Sequence, residues 1–263
     1  MEEGAWHAAP GAQCERAEHQ SGLIISEYIS YLHAMPRTRT PGRLQDIISA
    51  ATDTFIASGY RLARIEDIAH RAGVAPATVH LYAKTKEALF DLVVRTALHD
   101  PTVDDVELPY SAPPSGDVIE RLWQRLMAAS TFPRLVGFPK EPPPEGAAAE
   151  FEAIVRDLYR WQIRHHRAIK LTERCAREWP ELAALFSQQF RRTGLAKLGE
   201  YLALRAGQGA LRPTPDPAIA ARVVVETVAF FAMHRFSAPD SVMDDARAEA
   251  VVVDMLTNAI RPR

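Results

Sequence analysis

The stretch "PATVHLYAKTK", residues 76–86, gathers a hydroxyl (Thr78), an imidazole (His80), a phenol (Tyr82) and an ammonium (Lys86) behind a proline. All four donate hydrogen bonds, and none has a carboxylate or cysteine at a spacing that would make it a nucleophile or a general base. Their chemistry is that of contact: hydroxyls and an ammonium suit phosphate oxygens, and an imidazole suits an acceptor on a base edge. Elsewhere the chain lacks GxSxG, a Gly-rich phosphate loop and HExxH, so no enzymatic constellation is expected. His165 and His166 are adjacent and do not share a helix face, so no metal site and no cofactor are expected. Cys14 and Cys175 are the only cysteines, with no CxxC, which signals neither a disulfide framework nor a thiolate zinc site. Cys175 should pack as a small apolar residue.

The elements that position this contact set read as a tight series of helices. Leu44, Ile47, Ile48, Ala51 and Phe55 follow the helical repeat over residues 43–58, and Gly59 stops it. A second helix carries Ile65, Ile68, Ala69 and Ala72 on one face and ends at Gly73; neither Ala63 nor Arg64 can cap its start with a side-chain oxygen. Pro76 suits the first turn of a third helix, continued by Val79 and Tyr82, and Thr85 can cap a fourth carrying Leu89, Phe90, Leu92 and Val93. Two helices joined by a Gly-containing turn form the helix-turn-helix layout, whose second helix enters a DNA major groove.

The 263 residues are 47% hydrophobic, enough for a large core, and no stretch approaches the roughly 18 apolar residues of a membrane helix. A cytoplasmic protein without a membrane partner is expected. Its net charge of −2 hides a local excess: residues 37–99 hold nine Lys/Arg against six acids. That segment contains the helix series.

"GYRLARIEDIAHRAGVAPATVHLYAKTKEAL", residues 59–89, resembles the DNA-binding segment of TetR-family transcriptional regulators, through Gly59, Tyr60, Ile65, Asp67, Ile68, Ala69, Ala72, Gly73, Val74, Thr78, Tyr82, Lys86, Glu87 and Leu89. It departs from the family pattern at Ala63 and Arg64, at Ala75 in place of the usual Ser cap, at His80 in place of Tyr and at Ala83 in place of Phe. The resemblance implies a double-stranded DNA operator as partner. The expected contact set is Arg64, Pro76, Ala77, Thr78, His80, Tyr82 and Lys86, with Thr78, Tyr82 and Lys86 on phosphates and Pro76, Ala77 and His80 facing the bases.

The resemblance also implies a C-terminal domain that binds a small-molecule effector and pairs into a homodimer through its last two long helices. The expected fold is all-α, with an N-terminal three-helix helix-turn-helix domain joined to a larger helical ligand-binding and dimerisation domain. The expected divisions are a flexible extension over 1–40, the DNA-binding domain over 41–100 and the ligand-binding domain over 101–263. Within the extension, Arg37 and Arg39, with Arg43, are candidates for a minor-groove arm, and Met35 directly precedes this basic run.

Helices are expected near 117–130, 148–166, 168–178, 181–206, 216–235 and 241–260, with a loop over 132–146 whose five prolines exclude a continuous helix. Val223, Thr227, Phe230, Val253 and Ile260 are candidate dimer-seam residues. Trp123, Trp161, His165, Trp179, Phe190 and His234 are candidate ligand-binding residues, Trp161 and His165 sharing a helix face. Arg156, Arg160, Arg164 and Arg167 form a basic stripe that would attract an anion unless acids lie within reach. The competing reading of the same fold is a DNA-bound adaptor for a protein partner, recognised by a closed C-terminal core with no cavity and an exposed apolar patch.

Overall fold

The computed structural model describes residues 42–113, 118–130, 132–143, 145–186, 192–233 and 244–262. The expectations for the extension, including Arg37 and Arg39, and those for Phe190 and His234 lie outside the described residues. The architecture is all-α: α1 (Arg43–Ser58), α2 (Ile65–Arg71), α3 (Pro76–Val79), α4 (Lys86–Ala97), α5 (Val118–Ala129), α6 (Pro133–Val136), α7 (Ala147–Arg164), α8 (His166–Ala176), α9 (Pro180–Ala184), α10 (Arg192–Gly207), α11 (Pro217–Met233) and α12 (Asp245–Ile260). Among the described residues no helix is long and apolar enough to cross a membrane.

The local signals act as the residues dictate. Thr85 caps α4 by accepting from the Ala88 amide at 3.1 Å, and Leu89, Phe90, Leu92 and Val93 are all buried. Arg64 and Ala75 precede α2 and α3 without any side-chain cap, and Pro76 opens α3. Where the family pattern favours Phe, Ala83 is buried; the connector after α4 folds back beside it and contributes an aromatic residue. Lys84 N–H donates to the Tyr110 carbonyl at 2.9 Å, Tyr110 N–H donates to the Tyr82 carbonyl at 2.8 Å, and Tyr110 packs on the adjoining core.

The interior forms two apolar clusters. The first joins α1 to α4 and also takes in Leu171, Cys175, Trp179 and Leu182, from well beyond residue 100. Burial pushes the Cys175 thiol up to about 12, as its apolar packing requires. The second cluster fills the space among α5, α7, α10, α11 and α12. Its Pro-rich loop is held by Arg205, the bulkiest fully buried side chain, which pairs with Glu150 through two bonds of 2.9 and 3.0 Å and donates to the carbonyls of Pro139 and Lys140.

A polar network ties α4 to α5. Buried Asp91 accepts from the Tyr110 hydroxyl at 2.7 Å and faces Arg121 and Arg125, while Asp100 pairs with Arg95 at 2.8 Å. Burial alone would raise the Asp100 carboxyl, but two bonds from Thr102 and the Arg95 guanidinium outweigh it and hold the group down at about 2. A carboxylate is near 4 in an unfolded chain, so this contribution is complete above about pH 4 and is lost as pH falls toward 2. Asp100→Asn should therefore lower the melting temperature at pH 7, with the wild-type and variant curves converging by about pH 2 in a series of thermal melts.

Candidate nucleic-acid interface and ligand cavity

The structure sorts the expected DNA-contact residues into two groups. Arg64, Pro76, Ala77 and His80 are exposed and Thr78 is half-buried, so the leading surface of α3 is free to meet a groove. Tyr82 is only 3% exposed and belongs to the first apolar cluster, so its ring is core. Lys86 is half-buried and its ammonium is already engaged. Its Nζ donates to the Arg61 and Ala63 carbonyls at 3.4 and 3.3 Å and sits 4.7 Å from the centre of the Tyr60 ring, which fixes the turn ahead of α2. Lys84, exposed directly after the α3 turn, is a cation that residue spacing did not single out. The only signal for it was its place in the local basic excess.

That turn has a second support. Gly59 ends α1 at φ +83°, and a Cβ there would collide with the Glu178 carboxylate. The position needs glycine both for its backbone angle and for this close approach. Glu178 Oε2 accepts from the Arg61 amide at 2.9 Å, and Arg174, one helical turn earlier, donates to the Ser58 carbonyl. Arg174 and Glu178 thereby close the end of α1 and the entry to α2 from outside the helix series. Arg167 adds an exposed pair to Asp53 at 2.7 Å.

A cavity of about 580 Å³ lies in the second half, within the size range of small-molecule sites. Its wall is mainly apolar, with Phe132, Leu158, Trp161, Ile169, Phe186 and Met233 prominent. Trp161, one of the ligand-binding candidates, lines it, with the indole N–H donating to the Ala129 carbonyl at 2.9 Å. Trp179 does not: it packs against Tyr60 and Phe90, at ring distances of 5.1 and 6.5 Å, and belongs to the first cluster. Trp123 packs on the second cluster without lining the cavity.

His165 faces a second groove on the other side of Trp161, together with His99, Arg134, Arg160 and Arg164. Burial pushes the His165 imidazole below its ordinary value, against the opposing bond to the Trp161 carbonyl. The arginine stripe meets its acids. Arg156 pairs with Glu152 and Glu249, Arg160 with Glu249, and Arg167 with Asp53, so three of the four are neutralised, while Arg164, beside the second groove, has no ion-pair partner among the described residues.

One helix touches both halves. On α8, Ile169 and Glu173 line the cavity, while Leu171 and Cys175 lie in the first cluster beside α1. The last two long helices carry the exposed apolar residues Ile219, Val223 and Phe230 on α11 and Val251 and Met255 on α12. Val253 and Ile260, expected in a dimer seam, point inward and belong to the second cluster. The i, i+4 pair Val251 and Met255, 57% and 67% exposed, replaces them on the outer face.

Comparison with known proteins follows the same division. The family model for bacterial regulatory proteins of the tetR family matches residues 47–93. The fold is shared with a tetR-family regulatory protein from Rhodococcus RHA1, at 18% identity and a TM-score of 0.50, the match covering 85% of this chain and 100% of that one. It is shared also with the ketosteroid transcriptional regulator KstR2 of Mycobacterium tuberculosis, at 14% identity and a TM-score of 0.51, covering 86% and 98% respectively. No curated protein matches the chain significantly.

The close approach at Gly59 makes a direct prediction. Gly59→Ala should destabilise the protein by about 2 kcal/mol or more in urea unfolding, from backbone strain and from the Glu178 collision together. Adding Glu178→Ala should recover the collision part, so the two substitutions should be less damaging together than their separate losses imply. Additive losses would show that the carboxylate yields freely.

Proposed function

We propose, from a chain whose residues 47–93 match the family model for bacterial regulatory proteins of the tetR family, a homodimeric transcriptional repressor that binds a palindromic DNA operator and responds to a small apolar ligand. The observation that carries this reading is the joint presence of an exposed α3 surface and a cavity of about 580 Å³, joined by α8. In the proposed contact set Arg64, Pro76, Ala77, Thr78 and His80 meet the DNA, with His80 facing base edges. Lys86 and Tyr82 act through position: one fixes the turn carbonyls and the other packs beneath α3.

The proposed regulation uses the two faces of α8. A ligand against Ile169 and Glu173 shifts the helix whose Leu171, Cys175 and Arg174 hold α1. Two recognition helices must stand about 34–36 Å apart, or a multiple of it, to enter successive major grooves. A displacement of a few ångströms therefore favours release. The cavity argues against the adaptor reading, which calls for a closed core.

The dimer is proposed to form across Ile219, Val223, Phe230, Val251 and Met255, an apolar surface on the last two helices. Val251→Glu with Met255→Glu should yield a folded monomer in sedimentation, because both side chains are exposed, and should abolish tight operator binding. A variant that remains dimeric would place the interface elsewhere. The DNA reading itself is tested by titrating duplex and single-stranded genomic fragments at 50 and 200 mM salt. Duplex affinity should fall by about a hundredfold or more over that range, through release of counterions from contacted phosphates. Salt-insensitive binding, or preference for single strands, would overturn the reading.

A further inference from the structure

Gln162 lies on α7 in the wall of the apolar cavity, 7% exposed, and its side-chain amide has no hydrogen-bond partner among the described residues. The amide opens onto the cavity with no protein partner, so an occupant that displaces the solvent there has to replace its hydrogen bonds. The other polar lining groups are differently placed. Ser130 spends its hydroxyl on the Leu126 carbonyl at 2.6 Å, and Lys197 is paired with Glu200 at 2.8 Å. Glu226 faces Arg222 at 3.7 Å, and exposed Glu173 has no ion-pair partner among the described residues. An anion entering this cavity would meet the Glu173 carboxylate, a lysine and a glutamate each already paired, and an uncharged amide on α7. Its desolvation would go uncompensated.

We propose that Gln162 is the orienting residue for an uncharged, largely apolar effector carrying one hydrogen-bonding group, such as a hydroxyl or ketone, and that Glu173 discriminates against anionic ligands. The amide can both donate and accept, so it satisfies either group. Discrimination follows because an effector without the polar group leaves the amide unpaired, whereas one with a carboxylate loses its hydration without gaining a counter-charge. The arginines of the neighbouring groove do not reverse this. Arg134 is paired with Asp157 and Arg160 with Glu249, and these two, with Arg164, which has no ion-pair partner among the described residues, line the groove and not the cavity. The inference rests on the proposed reading of this cavity as the effector site.

The test uses three probes with one tail and different heads: decan-1-ol, decanoate and decyltrimethylammonium, titrated into the full chain at pH 8 and followed by tryptophan fluorescence and calorimetry. Decan-1-ol should bind at least tenfold more tightly than either charged probe. Gln162→Leu, close in volume and apolar, should weaken decan-1-ol at least fivefold without lowering the melting temperature of the unliganded protein. Tightest binding of decanoate would assign the head to the arginine groove, and tightest binding of the ammonium would assign it to Glu173. Either result overturns the proposal, as do equal affinities, no binding of any probe, or an unchanged decan-1-ol affinity in the variant. Operator titrations with saturating decan-1-ol separate the two readings. If the head preference and the Gln162 effect hold but DNA affinity does not move, the cavity chemistry stands and the regulatory role falls.

Discussion

A helix of four residues cannot hold its own shape in water, because the entropy of fixing its first turn is not recovered by so few hydrogen bonds. α3 and the seven-residue α2 exist only because Ile68, Ala69, Val79 and Tyr82 are buried in a core made by other elements. Part of that core comes from far along the chain: Leu171, Cys175, Trp179 and Leu182 complete the cluster around α1 and α4. The surface proposed to meet DNA therefore depends on the packing of the half that holds the cavity, and neither can be rearranged without altering the support of the other.

The polar contacts follow the same logic. Arg174 and Glu178 close the end of α1 and the turn behind it, at a glycine whose missing Cβ makes room for the carboxylate. Asp91, Arg121 and Arg125 bind α4 to α5, whose far end reaches the cavity through Met127 and Ser130. On the proposed reading a ligand has two routes to the DNA-binding unit, α8 and α5. It acts only through unequal affinity for two arrangements of those helices, and bound DNA must weaken ligand binding by the same factor.

The helix series was legible in the sequence because its signals are local: apolar residues at helical spacing, Gly59 and Gly73 as stops, Pro76 as a start and Thr85 as a cap. The exposure of His80, Ala77 and Arg64 was legible for the same reason. The roles of Lys86 and Tyr82 were less so, since a lysine near a helix start reads alike whether it meets a phosphate or two carbonyls of its own chain. Trp179 was beyond local reading. Its destination is set by contacts with Tyr60 and Phe90, about a hundred residues away, and nothing in its own neighbourhood distinguishes the two cores. Gln162 was missed because a polar residue on an amphipathic helix reads as a solvated position until the cavity beside it is seen. Of the residues expected in a seam, Val223 and Phe230 are exposed, whereas Val253 and Ile260 are core; Val253 and Val251 differ by two positions, which on a helix is the difference between core and surface.

The central claim, a twofold-symmetric reader of duplex DNA, is tested most directly by selecting duplexes from a fully randomised pool with the purified full chain and sequencing those retained. The account predicts an enriched inverted repeat whose half-sites lie about one helical turn apart, or a multiple of it. Enrichment of a motif without twofold symmetry, or no enrichment over the starting pool, would contradict it.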